Sequence, residues 1–453
     1  MGSTLHDRHG HEVWGQGSGL LHGVLRGGIR QLTLPEDLGD EAPDDGVVPV
    51  SLVRGIHASL GVWSVSLGYS GLCRHLRNRY ALTPYDATVP ERPANLLLFP
   101  YDWRLSNRYN GRRLKQIAEP FLERWRERSG HSDARLVILA HSMGGLVARW
   151  YAEHEGGADR IRRLVTTGTP HRGSVQAVDR LVNGLRKKVG PIGIDLSALA
   201  RSLPSLYQLL PGYACVEVAG QLRTLSEVGG LPGLRSAPVE DGARFQSQLA
   251  TVPTYPFQPV VGIDQPTKAS VRLDACGATL RRTMLTPDGT RLDRGGDGTV
   301  ARFAAYPPGF GDLNTALHFA GQTHGALPGH RSVLEHIDGV LTGTETEFRG
   351  GEFRLGVDVD DYALAGQPLR ARAESDDHGV RLAVQVIDPA EGTHVAFEPM
   401  IAQGDGRYAV DLVDLPPGGY EVRVGRAHRE GYLTNVVATA TVVIDPDETG
   451  GDE

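Results

Sequence analysis

A chain of 453 residues has room for two or three domains, and 40% apolar with 22% charged residues is the ordinary composition of a globular protein. A net charge of −7, a pI near 6.2 and the absence of any Lys/Arg run argue against a nucleic-acid partner, which demands a basic face. The polar start, Met1-Gly2-Ser3-Thr4, lacks a signal-peptide core, and no apolar run approaches the ~20 residues of a spanning helix, so a cytoplasmic protein is expected.

Residues 1–94 read as irregular, with an acidic, Pro-containing loop at 36–46. Residues 95–99 form a short apolar run before Pro100, the pattern of a buried parallel strand. Leu114, Ile117, Ala118, Phe121, Leu122 and Trp125 then recur at helical spacing, with Pro120 expected to kink that helix. Residues 136–140 read as a second strand, Leu146, Val147, Trp150 and Tyr151 as one face of the next helix, and 164–167 as a third strand. This alternation predicts an α/β fold around a mostly parallel sheet with helices on both faces. A helical, loop-rich stretch at about 175–254 reads as a cap inserted over the sheet. Residues 260–263 resume the sheet, and Val333, Leu334, Ile337, Val340 and Leu341 mark the last amphipathic helix.

The catalytic-type domain is therefore expected over 1–345, followed by a linker at 342–351. Beyond it the period changes to two: Leu382, Val384 and Val386, then Tyr408, Val410 and Leu412, then Tyr420, Val422 and Val424 alternate with polar neighbours. Short strands at this spacing predict a small antiparallel, Ig-like β-sandwich over 352–446, with an acidic tail at 447–453. The sandwich carries no chemical signature. It is expected to be dispensable for turnover, and to bind a protein partner, a glycan or the catalytic domain itself. Cys73, Cys215 and Cys276 lie far apart without CxxC spacing, which predicts reduced thiols and no metal site.

The chemical signal is Ala140-His141-Ser142-Met143-Gly144-Gly145, between a strand and a helix. In a nucleophile elbow the serine occupies a strained strand-to-helix turn, which requires small residues two before and two after it. Ser142 is thus the candidate nucleophile, and the Met143 N–H the candidate oxyanion donor. The acid and the base should follow in that order. Asp297, between Gly296 and Gly298, fits the acid, with Asp293 its nearest competitor. His324, between the acid loop and the last helix, fits the base. His330 and His336 fall on that helix, His318 lies in an apolar stretch, and His141 reads as structural. Covalent catalysis by these groups needs no cofactor and no metal.

Phe99-Pro-Tyr-Asp-Trp-Arg104, the elbow, Gly168-Thr-Pro170 followed by Arg172-Gly-Ser174, Gly296-Asp-Gly-Thr-Val300, and His324-Gly325 with the later Glu335-His-Ile337 together resemble the lecithin:cholesterol acyltransferase-like family. The resemblance spans roughly residues 1–343. It implies an α/β-hydrolase fold and a lipid ester cleaved through an acyl-serine, with the acyl group passed to water or to an alcohol. It also implies peripheral membrane contact, and a pocket wall built by Asp102, Trp103 and Arg104, whose alternative is a structural Asp102–Arg104 ion pair. The disulfide that braces a membrane-contacting lid in secreted relatives has no counterpart beside Cys73. Family members open with a strand ending in Pro-Gly-x-x-Gly-Ser, and Met1-Gly2-Ser3-Thr4-Leu5 looks like the tail of that motif. By resemblance, a central strand beside the nucleophile strand and a second oxyanion N–H are expected upstream of Met1. The alternative function is a catalytically weak scaffold or regulatory binding protein on the same fold.

Overall fold

A computed structural model describes residues 2–15, 31–55, 67–189, 192–274, 277–286, 288–310, 317–344, 353–428 and 431–445. The expected linker and tail fall almost wholly outside these residues, as does Cys276.

The N-terminal stretch is more ordered than its sequence suggests. Strand β1 (Ser3–His6) pairs antiparallel with β2 (Glu12–Trp14) on one side and β3 (Val48–Leu52) on the other. Each strand is too short for alternation to register, and the paired residues of β1 and β3, from His6 with Val48 to Ser3 with Leu52, lie 42 to 49 positions apart in sequence. Helix α1 (Ser70–Arg79) follows.

At the centre, four strands pair in parallel in the order β7–β6–β5–β4: β4 (Leu136–His141), β5 (Ile161–Thr167), β6 (Phe257–Gly262) and β7 (His318–Ala320). The pleat sends neighbouring side chains to opposite faces. On β5, Leu164 packs with Leu114 and Ala118 of α2 (Asn107–Ser129) and Val147 and Tyr151 of α3 (Gly144–His154). Val165 instead packs with Leu76 of α1 and Val333 and Ile337 of the last helix (Arg331–Thr342). Both are essentially inaccessible, and burying each contributes roughly 1.5–3 kcal/mol. Ser106 caps α2 by accepting the Tyr109 N–H, the helix runs on through Pro120, and Gly130 ends it in the left-handed region at φ 71°.

Residues 95–99 depart from expectation. They form no ladder: Leu96 makes a single parallel bridge to Pro84, and Leu98 is exposed. The cause is the flank of β4. Its apolar run, Leu-Val-Ile-Leu-Ala, reads as a strand buried on both faces, yet all six residues of β4 are partly exposed. Among the described residues β4 pairs only with β5, and its other edge is open. A cavity of about 530 Å³ runs along that edge, between residues 96–99 and 136–141, with α1 and α2 side chains as its walls and Gly2 and Ser3 at one end. The further strand that the family resemblance places beside β4 has no counterpart among the described residues.

The region at 175–254 contains helices at Val175–Val182, Ser197–Ser202, Pro204–Tyr207 and Ser236–Gln248, with two small hairpins between them. Its apolar faces share one core with Trp14, Trp103, Met143 and Leu146, so it packs directly behind the elbow.

The C-terminal region is antiparallel and β-rich. One sheet is ordered Leu355–Val359, Leu369–Ser375, Arg407–Leu412, Ile401–Gly404; the other is ordered Tyr362–Leu364, Leu433–Ile444, Gly418–Ala427, Leu382–Asp388, Thr393–Pro399. Leu382, Val384, Val386, Tyr408, Val422 and Val424 share a single core, as the period-two pattern predicts.

Candidate active site

The turn from β4 into α3 is strained at one residue. Ser142 has φ 54°, in the left-handed region that costs an L-residue roughly 1–2 kcal/mol. Two fixtures impose this conformation: the Ser142 N–H donates to Thr167 O on β5 (2.9 Å), and Ser142 O accepts the Gly145 N–H (3.0 Å) as α3 begins. Gly145 has no room for a side chain, since a Cβ there would meet Thr169 Oγ1 at 2.1 Å. Met143, next to the serine, is the N-cap of α3 and is buried.

The structure brings Ser142, His324 and Asp297 together from three different loops. Ser142 Oγ lies 2.9 Å from His324 Nε2, and His324 Nδ1 lies 2.7 Å from Asp297 Oδ2. The other carboxylate oxygen, Oδ1, accepts the Thr299 and Val300 N–H groups at 2.9 and 2.7 Å. Asp297 is 1% and His324 5% exposed. With Nδ1–H donated to a fixed carboxylate, Nε2 is left to accept the Ser142 proton, the tautomer that activates a serine. Asp293, the rival acid, sits on a surface hairpin and pairs with Arg282. His330 stands at the N-cap position of the last helix with its Nδ1 on Ser332 Oγ (2.9 Å), and His336 stacks on His318 at 4.3 Å between ring centroids.

His141 has a more specific place than its neighbourhood in sequence suggests. Its Nε2–H donates to the backbone carbonyl of His324 (2.9 Å), so its Nδ1 accepts from the Tyr69 hydroxyl (3.0 Å). Burial first, and then the adjacent His324, hold His141 well below the usual histidine range, and the ring stays neutral. The His324 N–H in turn donates to Asp297 O (2.7 Å). Only the pairing of Tyr69 and His324 around His141 reveals this role, and neither partner is near it in sequence.

For Asp102 and Arg104 the structure shows the ion pair that was the alternative to a pocket wall. Arg104 is fully buried and bidentate to Asp102, with a further bond from Nη1 to Asp45 Oδ2 (2.8 Å). Trp103 packs against Trp14 at 4.8 Å between centroids. A guanidinium taken out of water has to be paired, and these carboxylates are consumed in pairing it. The group is a structural ion pair locking the N-terminal strands to the start of α2.

Gly168 explains why glycine follows β5. Its φ is 56°, and a Cβ there would lie 2.9 Å from Asp297 Oδ2 and 3.1 Å from His324 Nδ1. The backbone at Gly168 is thus the floor beneath the histidine–carboxylate contact.

No curated protein matches the chain. Among solved structures it is similar to a lipase of Bacillus licheniformis in its propeptide form, at 12% identity and a TM-score of 0.30, over 73% of this chain and 64% of that one. It is also similar to fibronectin(III)-like modules of Clostridium thermocellum CbhA (13%, TM-score 0.15, 20% of this chain and 96% of that one). CopC of Methylosinus trichosporium OB3b is a third (17%, TM-score 0.15, 20% and 87%). The family model of lecithin:cholesterol acyltransferase matches residues 90–223, a stretch that holds Ser142 but neither Asp297 nor His324. The resemblance of this chain to the lecithin:cholesterol acyltransferase family is thereby shown over residues 90–223.

Proposed function

We propose that this protein is a lipid acyl-ester hydrolase or O-acyltransferase of the α/β-hydrolase type, working through an acyl-serine at Ser142. The observation that carries the reading is the continuous chain from Ser142 Oγ to His324 (2.9 Å) to Asp297 (2.7 Å), with the serine on a strained turn. Ser142 Oγ attacks the acyl carbon while its proton passes to His324 Nε2. The Met143 N–H stabilises the oxyanion, and the bond to the leaving alcohol breaks as His324 returns the proton to that oxygen. Water or an acceptor alcohol then removes the acyl group by the same steps in reverse. Asp297 holds the imidazole in the required tautomer and stabilises its charged form. The groups of this chain account for the covalent step without a cofactor.

In this reading the substrate is a lipid or small carboxylic ester, met in the cytoplasm through peripheral membrane contact. Among the described residues no helix is long and apolar enough to cross a membrane. One observation favours a second reading, a catalytically weak scaffold or regulatory binding protein: the open edge of β4, the strand that carries the serine. Hydrolysis of nitrophenyl esters of increasing acyl length, with Ser142→Ala as control, separates the two. Turnover that rises with chain length and vanishes in the variant is expected. A folded wild-type protein that neither turns over nor reacts with a fluorophosphonate at Ser142 would overturn the esterase reading in favour of the scaffold.

A further inference from the structure

Two buried glutamines, one on each loop that completes the site, reach the C-terminal sandwich. Gln265 follows β6 and pairs with the acid loop, its N–H donating to Gly296 O (3.0 Å). Its side chain donates from Nε2 to Leu355 O and accepts the Val357 N–H at Oε1, both at 3.0 Å. Gln322 lies two residues before His324. Its Nε2 donates to Val436 O (2.5 Å), and its Oε1 accepts the Ala438 N–H (3.0 Å). Thr323 adds a third bond, its hydroxyl donating to Ala438 O (2.6 Å). Both glutamines are 1% exposed.

The two contacts share one design. A strand directs the C=O of residue i and the N–H of residue i+2 to the same edge. Each carboxamide bonds such a pair, 355 with 357 and 436 with 438, as a neighbouring strand would. Among the described residues, no other strand of the sandwich pairs along the edges they occupy. Leu355–Val359 is the outermost strand of its sheet, and Tyr362–Leu364 pairs only with Val442–Ile444, short of residues 436–438. Free strand edges need a cover, and buried carboxamides need all their bonds. Both requirements are met at once, on either side of the Asp297–His324 contact.

We propose that Gln265, Gln322 and Thr323 are positioning residues that fix the acid and histidine loops against the sandwich, which makes residues 353–445 part of the catalytic machinery. The proposal rests on the esterase reading above and deepens it. The sandwich has no chemistry of its own to lend. Its strands serve as a rigid rail, and His324 is held between that rail and the His141 ring on its other side. The dispensability expected from sequence gives way here, because removing the sandwich would strand both carboxamides.

The test uses the full chain. Thr323→Val keeps the shape and loses the hydroxyl, Thr323→Ser keeps the hydroxyl, and Gln322→Leu removes both carboxamide bonds. Displacement of a reacting group by about 1 Å can cost about 100-fold in rate, so Thr323→Val should lower kcat about 10-fold and Gln322→Leu up to about 100-fold. KM should stay within about twofold, because a positioning residue acts on the step and not on ester binding. Thr323→Ser should restore kcat. Backbone amide exchange over residues 322–327 should quicken in Thr323→Val and not in Thr323→Ser. Thr323→Val with wild-type kcat and wild-type exchange would overturn the proposal. If the wild-type protein proves inert toward every ester, the esterase reading fails by itself, and the exchange comparison still decides whether the sandwich holds the loop.

Discussion

Gly168→Ala is the most direct probe of the floor beneath the candidate site. Two costs combine. The left-handed backbone at φ 56° penalises an L-residue by roughly 1–2 kcal/mol. The new Cβ would also sit 2.9 Å from Asp297 Oδ2 and 3.1 Å from His324 Nδ1, closer than carbon rests against either atom. The carboxylate has little freedom to retreat, because its other oxygen is held by the Thr299 and Val300 amides. The strain therefore falls on the 2.7 Å contact between His324 and Asp297. A shift approaching 1 Å there should cost about 100-fold in kcat/KM. The stability loss should be about 1–3 kcal/mol, a fall in melting temperature of several degrees. Steady-state hydrolysis of a nitrophenyl ester and a thermal melt measure the two effects separately. A Gly168→Ala protein with kcat/KM within twofold of wild type would refute the argument that this glycine serves the histidine–carboxylate contact.

Acid should destabilise the fold through its buried histidines. Burial holds His318 and His336 down to about 4 from 6.5, and holds His141 and His171 well below their usual range. The unfolded chain therefore takes up protons first, and stability is complete above about pH 6.5 and lost as pH falls toward 4, by roughly 3 kcal/mol for each of the stacked pair. Melting temperature measured from pH 7.5 to 5 should fall below 6.5, less steeply in a His318→Leu/His336→Leu double variant, and a profile identical in both proteins would count against the assignment. Asp102→Ala should cost about 3–5 kcal/mol by taking from the buried Arg104 its bidentate carboxylate, whereas Asp102→Ala combined with Arg104→Met should recover most of that loss. Denaturant titration decides this, and equal stability of the single variant and wild type would mean that the pair carries no weight.

The central features were legible because local pattern and global requirement coincide there. An apolar run, a serine flanked by small residues and an amphipathic helix can meet in few other ways than the turn at Ser142. His324 stood out from His330 and His336 because the periodic sequence assigned those two to the last helix, which holds His336 and has His330 at its N-cap position. The first 94 residues hid their sheet, since strands of three to five residues give alternation no length in which to show. Residues 95–99 read as a strand because they are apolar, but a strand also needs a neighbour, and pairing is not a property of five residues. The loop-holding glutamines were invisible for a related reason. Gln265 and Gln322 bond backbone atoms 90 and 114 residues away, and a backbone atom has no signature in the sequence. Asp102 and Arg104 were visible as a pair, and only burial distinguishes the wall of a pocket from an internal strut.

The open flank of β4 bears on how this protein behaves in a test tube. Among the described residues no strand pairs with that flank, and an edge of amides and carbonyls bordered by leucines is a template for an extended, greasy chain. A dye that glows in apolar surroundings should therefore light up in the cavity along that edge, on a protein that is otherwise folded. Detergent monomers and short apolar peptides will compete for the same seam.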